Sequence, residues 1–304
     1  MWLKKIKKFL KLSSPPYLAI LLAVNAVLAA LVVYDLVLEK TSSNQTLESK
    51  EVQELRAQIF PAEGYHTSLV WGDIGKKLVE AGAIDEEQYR DLFRSPAEGK
   101  EEMDILAGNS SKPIGINENN SRFVLNTLWA FGLIQKSKVL DEGPMKSDDY
   151  AVMDFASTAG WTLSTKPVEE IYSSQNLVEL NGFQQDLVKK IAENVYRPCC
   201  GNHTAFPDCN HGMAALALIE IEVSAGIPEE QIYRDVLVFN SFWFPQTYLE
   251  IAAYFKDQGV KWEAVDAKTV LGFDYSSAEG AQMISTAVRN ILPQTDSGGG
   301  SCGI

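Results

Sequence analysis

Residues 197–212 read RPCCGNHTAFPDCNHG, and they constrain this chain more than any other stretch. Three of its four cysteines (Cys199, Cys200, Cys209) and two of its three histidines (His203, His211) fall there. Pro198 and Pro207 fix the backbone and remove donors, and Gly201 and Gly212 punctuate the segment. The pattern therefore predicts a fixed loop, not a helix. Leu187, Val188, Ile191 and Val195 upstream fall at helical spacing, and Arg197-Pro198 ends that helix. Helix formers resume at once from Met213 through Glu220. Nitrogen and sulfur donors are thus predicted to sit between two helices.

Donors of this type support three chemistries. In the first, Cys199, Cys200, Cys209 and His211, with His203 as a substitute, hold a metal ion. Three thiolates and an imidazole suit tetrahedral zinc, and a thiolate-rich set also suits copper as Cu(I). The spacing C-C-x2-H-x5-C-x-H is not that of separated zinc-finger pairs, and His66 could complete the shell from afar. In the second, the cysteines pair as disulfides outside the cytoplasm, Cys209 with Cys199 or Cys200 and the remaining one with Cys302. Two loop histidines then have no reason to be there. In the third, a loop cysteine (Cys199, Cys200 or Cys209) is a redox thiol, Cys209 being set just before a helix whose N-terminus favours thiolate. Cys302 could swing onto Cys199 or Cys200 as a resolving thiol or a metal-passing ligand. No C-x-x-C-H haem motif and no ferredoxin spacing is present. Nor is there a nicotinamide or flavin fingerprint, so a redox role needs a protein partner as electron source.

Charge narrows the partners. The formal net charge is −13, yet five lysines (Lys4, Lys5, Lys7, Lys8, Lys11) lead the chain with no acid among them. Beyond them, 22 of the 27 basic residues face 40 acidic ones, a net of −18. A body this acidic is poorly suited to nucleic acid, whose binding depends on neutralising phosphates.

The N-terminal residues 1–38 read as a membrane anchor. After Ser13-Ser14-Pro15-Pro16, the stretch from Tyr17 to Tyr34 carries no charge and reaches the length of a spanning helix. The flanking lysines predict a cytoplasmic N-terminus, with everything after residue 38 periplasmic or extracellular. Residues 39–59 read as a polar stalk with a loose apolar stripe at Leu47, Val52, Leu55 and Ile59. Residues 60–292 read as the folded body, with a candidate subdivision near residue 145. The tail, residues 293–304, is glycine-rich and bears Cys302.

Within the body, the apolar spacing predicts helices over 69–82, from Asp85, and over 122–134, 148–159, 183–195, 211–225, 229–240, 247–258 and 277–292. Residues 95–120 read as loop. Phe242-Trp243-Phe244 and the acid pairs Asp148-Asp149 and Glu169-Glu170 read as core and solvated faces. Few runs alternate with period two. The fold class expected is mainly α: a single transmembrane helix followed by a multi-helix domain with long loops. The function expected is extracytoplasmic metal binding, in metal handling or at a metal-supported site. The alternatives are a membrane-tethered thiol oxidoreductase and a disulfide-stapled interaction domain. No reaction is named by the residues.

Overall fold

The computed structural model describes residues 50–292. The predicted membrane anchor, most of the stalk, and Cys302 with its tail lie outside those residues. Among the described residues no helix is long and apolar enough to cross a membrane. The chain divides into residues 1–54 and residues 55–304. Of the first unit, residues 50–54 are described; they are helical, with Lys50 paired to Glu54 at 3.9 Å.

The second unit is mainly helical, with one two-stranded sheet. Its first residues are core: Leu55 and Ile59, one helical turn apart, are buried, and Phe60 meets the Phe242 ring edge-on at 5.5 Å. Burying such side chains contributes about 1.5–3 kcal/mol each, so the end of the stalk stripe belongs to the domain.

Strand β1 (Tyr65–Gly72) pairs antiparallel with β2 (Ser110–Ile116), in register at Tyr65↔Ile116 and Gly72↔Ser110. This corrects the expectation of a helix starting at Leu69. From Tyr65 to Trp71 the odd positions face inward, while His66, Ser68 and Val70 face out, which is period two. Gly72 then turns the chain at φ 52, and helix α1 (Ile74–Ala81) begins after it. Gly82 ends α1 in the left-handed region, and Asp85 caps α2 (Glu86–Leu92) by accepting from Gln88 N at 3.1 Å. Residues 95–120 are not all loop, since β2 and a 3₁₀ helix (Lys100–Ala107) lie within them.

Five longer helices build the rest: α3 (Ser121–Ile134), α4 (Gly182–Ala192), α5 (Asn210–Ser224), α6 (Glu229–Trp243) and α7 (Pro245–Asp257). A shorter α8 (Ala278–Ala287) follows them. Helix α5 is the axis. Every residue from Asn210 to Val223 is buried, the mark of a helix enclosed on all sides. Gly132 of α3 lets the two helices touch, because a Cβ there would stand 2.4 Å from the Met213 carbonyl oxygen.

The continuous helix expected over 148–159 is instead a 3₁₀ turn (Val152–Asp154) and one α-turn (Ala156–Ala159). Non-local bonds claim its backbone. Ser157 N donates to Asp208 O at 3.0 Å, and Ser157 O accepts from the Trp129 indole at 2.6 Å. This segment therefore braces the cysteine loop.

Candidate metal centre

The loop between α4 and α5 is held by its backbone first. Thr204 N bonds to Val195 O at 2.8 Å, Tyr196 bridges His203, and Phe206 N closes a turn on His203 O. On its other side, Tyr196 N donates to Leu271 O and Ala278 N to Cys200 O, tying the loop to the C-terminal helices. Cys209 is the N-cap of α5, its sulfur accepting from Gly212 N at 3.4 Å.

Arg197 is the hub. Its side chain is fully buried. Nε donates to Cys209 Sγ at 3.2 Å, one terminal nitrogen to Asn202 O at 2.8 Å, and the other to Phe206 O at 3.0 Å and to Asp208 Oδ1. Asn202 Nδ2 steadies the second Asp208 oxygen at 2.8 Å. Gly212 makes room, because a Cβ there would lie 2.6 Å from the guanidinium carbon. One planar cation thus fixes two carbonyls, the Cys209 sulfur and a carboxylate.

The donors converge around Cys209. Cys199, Cys209 and His211 each place a ligand atom within 4.8 Å of the others, and Cys200, Asp208 and Cys209 do the same. Cys199 and Cys209 stand 3.5 Å apart, sulfur to sulfur. Two sulfurs at about 2.3 Å from a tetrahedral zinc lie about 3.8 Å apart, and a disulfide brings them to about 2.05 Å. His211 lies against the Phe244 ring at 4.4 Å and near Trp243 at 6.1 Å, and its buried Nδ1 has no hydrogen-bond partner among the described residues. In the aromatic stretch read as core, Phe242 packs on Phe60, while Trp243 and Phe244 also wall this centre.

The electrostatics single out one sulfur. Contact with the Cys199 and Cys200 thiols, then the Arg197 charge and His211, hold Cys209 well below the ordinary thiol value against the cost of burial. Contacts with Cys200 and Cys209, together with burial, push Cys199 up. Cys199 pulls Cys200 down, but Cys209 and burial outweigh it and push Cys200 up to about 11. Burial disfavours the Arg197 charge, yet Cys209, Cys200 and Asp208 together raise its pKa. Of the three thiols, Cys209 is the one whose surroundings favour the thiolate, with the guanidinium of Arg197 at 3.2 Å.

The residues could hold a metal ion. Were Cys199 to lose its proton on binding, two thiolates, from Cys199 and Cys209, would offset the charge of the ion, while Asp208 offsets that of Arg197. Nothing charged is then left buried and unpaired, the condition under which burial of ions is tolerated.

Of the residues expected from sequence, Cys199, Cys200, Cys209 and His211 converge, and His203 does not join them. Its ring meets Tyr196 edge-on at 5.9 Å and lines a cavity of about 510 Å³ with Lys138, Glu142, Lys146, Lys189 and Glu193. Burial lowers its pKa. His66 lies over Gly115 on the exposed face of β1, where a Cβ on that glycine would meet its Nδ1 at 2.1 Å. Asp148, Asp149, Glu169 and Glu170 are exposed. Sequence reasoning missed Asp208 as a donor and treated Arg197 only as a helix stop. Their signal was an arginine and an aspartate inside a loop of soft donors.

Searches against protein-family models, curated proteins and solved structures give no match, so the functional reading rests on this geometry.

Proposed function

We propose that this chain binds a soft or borderline metal ion through Cys199, Cys209 and His211. Zinc comes first, because a divalent ion leaves the centre neutral; Cu(I) comes second, because it would leave one buried negative charge. The observation that carries the reading is the convergence of ligand atoms from two buried residues and one half-buried one within 4.8 Å, one of them on a histidine whose buried Nδ1 has no hydrogen-bond partner among the described residues. Three protein ligands leave a fourth position for water or a partner's donor, which suits metal handling or a metal-supported site better than a closed structural knot. On this reading the apolar N-terminal segment anchors the chain, and the centre works on the outer side of a membrane.

A second reading is favoured by the 3.5 Å sulfur separation. Cys209 and Cys199 form a dithiol that a disulfide-bearing protein partner could oxidise. Cys209 attacks the partner disulfide and releases one partner thiolate, then Cys199 resolves the mixed disulfide and releases the other, so the partner takes both electrons and the thiol proton. Cys302 could take the resolving place of Cys199. The bland alternative is a disulfide staple.

Elemental analysis of the full chain, purified without added metal, together with a thiol count under denaturing conditions, separates them. About one zinc or copper per chain with titratable thiols is the expected result, since ligating cysteines must be reduced. Free thiols without metal would move the assignment to redox chemistry. Neither metal nor free thiol would leave a disulfide scaffold.

A further inference from the structure

The centre holds a second donor set that the buried one does not use. Cys200, Asp208 and Cys209 lie within 4.8 Å of one another, and Cys209 belongs to both sets. The sets differ in access. Cys199 and Cys200 are both half-buried and Cys209 is common to the two sets, so the difference lies in the third donor: His211 is buried, whereas Asp208 is half-buried and within reach of solvent.

They also differ in charge. Arg197 donates to both Cys209 Sγ and Asp208 Oδ1, so a guanidinium already stands at the second set. With a divalent ion in the buried set, a second one at Cys200 would sit beside that guanidinium with only one extra thiolate to offset it. Like charges this close repel strongly where water is scarce. The second set therefore suits an ion in passage, not a resident one.

We propose that Cys200 and Asp208 form a waystation through which a soft divalent ion reaches and leaves Cys199, Cys209 and His211, with Cys209 bound to the ion throughout. The proposal rests on the metal-binding reading above. Moving inward, the ion keeps its bond to Cys209, gains bonds to Cys199 and His211, and gives up Cys200 and Asp208. Cys199 releases its proton to solvent and Cys200 takes one back, so charge and protons balance. Asp208 can leave the ion at low cost because Arg197 and Asn202 already hold both its oxygens. Soft thiolates exchanged one at a time avoid stripping the ion bare at any stage.

The test uses Cd(II) on the full chain, with binding read from thiolate-to-cadmium ultraviolet absorption and release read on mixing with excess chelator. Cys200→Ser and Cys200→Ala are compared with Cys199→Ser, each checked for folding by circular dichroism. In the Cys200 variants, Cd(II) affinity is expected to stay within about threefold of wild type. Uptake and release should both slow at least about tenfold, or about 1.4 kcal/mol in the exchange barrier. Unchanged rates would overturn the waystation. So would an affinity loss equal to that of Cys199→Ser, which would make Cys200 a resident ligand. A wild-type chain that takes up no Cd(II) would instead sink the metal-binding reading itself, and the relay with it.

Discussion

At the N-terminal end of α5, the buried sulfur of Cys209, its pKa held low, lies 3.2 Å from a buried guanidinium and caps the helix N-terminus. At the C-terminal end of the same helix, Glu220 and Glu222 are fully buried with no cation beside them among the described residues, Glu220 near the Ser137 hydroxyl and Glu222 facing the Asp235 carboxyl. Burial drives the Glu220 pKa well up, offset only in part by the Ser137 hydroxyl. Burial first, and the facing carboxyl of Asp235 second, push Glu222 up to about 11. Tyr65 and Gln231 both donate to Asp235, at 2.5 and 2.6 Å. One helix therefore buries ionisable groups by two routes. The first end keeps its charge and supplies a counterion; the second gives its charge up by holding protons. Only the first is equipped to take a cation without rebuilding its surroundings.

Breaking the charged end should cost most. Arg197→Met removes the charged donor shared by Asp208, Cys209 and two carbonyls, and is expected to lower stability by about 3–5 kcal/mol in urea denaturation. Arg197→Lys should rescue little, because a point charge cannot serve all four acceptors. A full rescue by lysine would show that charge alone, not the planar fork, organises the loop.

The protonated end predicts an effect of opposite sign. Because the folded-state pKa of Glu222 is raised, its contribution is complete below about pH 4.5 and is lost as pH climbs toward 11. Between pH 4.5 and 7 this amounts to on the order of 3 kcal/mol lost. Glu222→Gln has no proton to lose, so its advantage over wild type should grow with pH. Urea midpoints at pH 5 and pH 8 measure this, and parallel pH profiles for the two proteins would contradict it.

Two smaller substitutions sharpen the contrast. Gly212→Ala, which ordinarily favours a helix by about 1 kcal/mol, should here destabilise by about 1–3 kcal/mol, because its Cβ meets the Arg197 guanidinium. A gain in thermal midpoint would mean that the guanidinium can step aside. Tyr65→Phe removes one donor to Asp235 and should cost about 1 kcal/mol, with no change in metal content. Loss of metal in that variant would show that the two ends of α5 are coupled.

Much of the local architecture was legible in the residues. The α1 stop at Gly82, the Asp85 cap, and the helices flanking the cysteine loop follow from spacing and capping chemistry, which act within a few residues. Residues 65–72 were misread because Leu69, Val70 and Ile74 satisfy a helical period, while the inward-outward alternation needs β2, some forty residues away, to give it meaning. Residues 148–159 lost their helix to bonds with Trp129 and Asp208, which no local pattern announces. Burial on both sides of α5 was equally hidden, since Glu220 and Glu222 look like an ordinary polar face.

The sequence by itself determined where soft donors gather and that helices bracket them, because periodicity, proline and glycine act over short range. Which donors meet was decided only by tertiary structure. Side chains from two ends of a loop converge on Cys209 through a buried arginine, and His203, within the same loop, turns away to a different cavity. Convergence depends on packing between segments remote in sequence, and so does the low-dielectric burial that makes Arg197 a counterion and Glu222 a held proton.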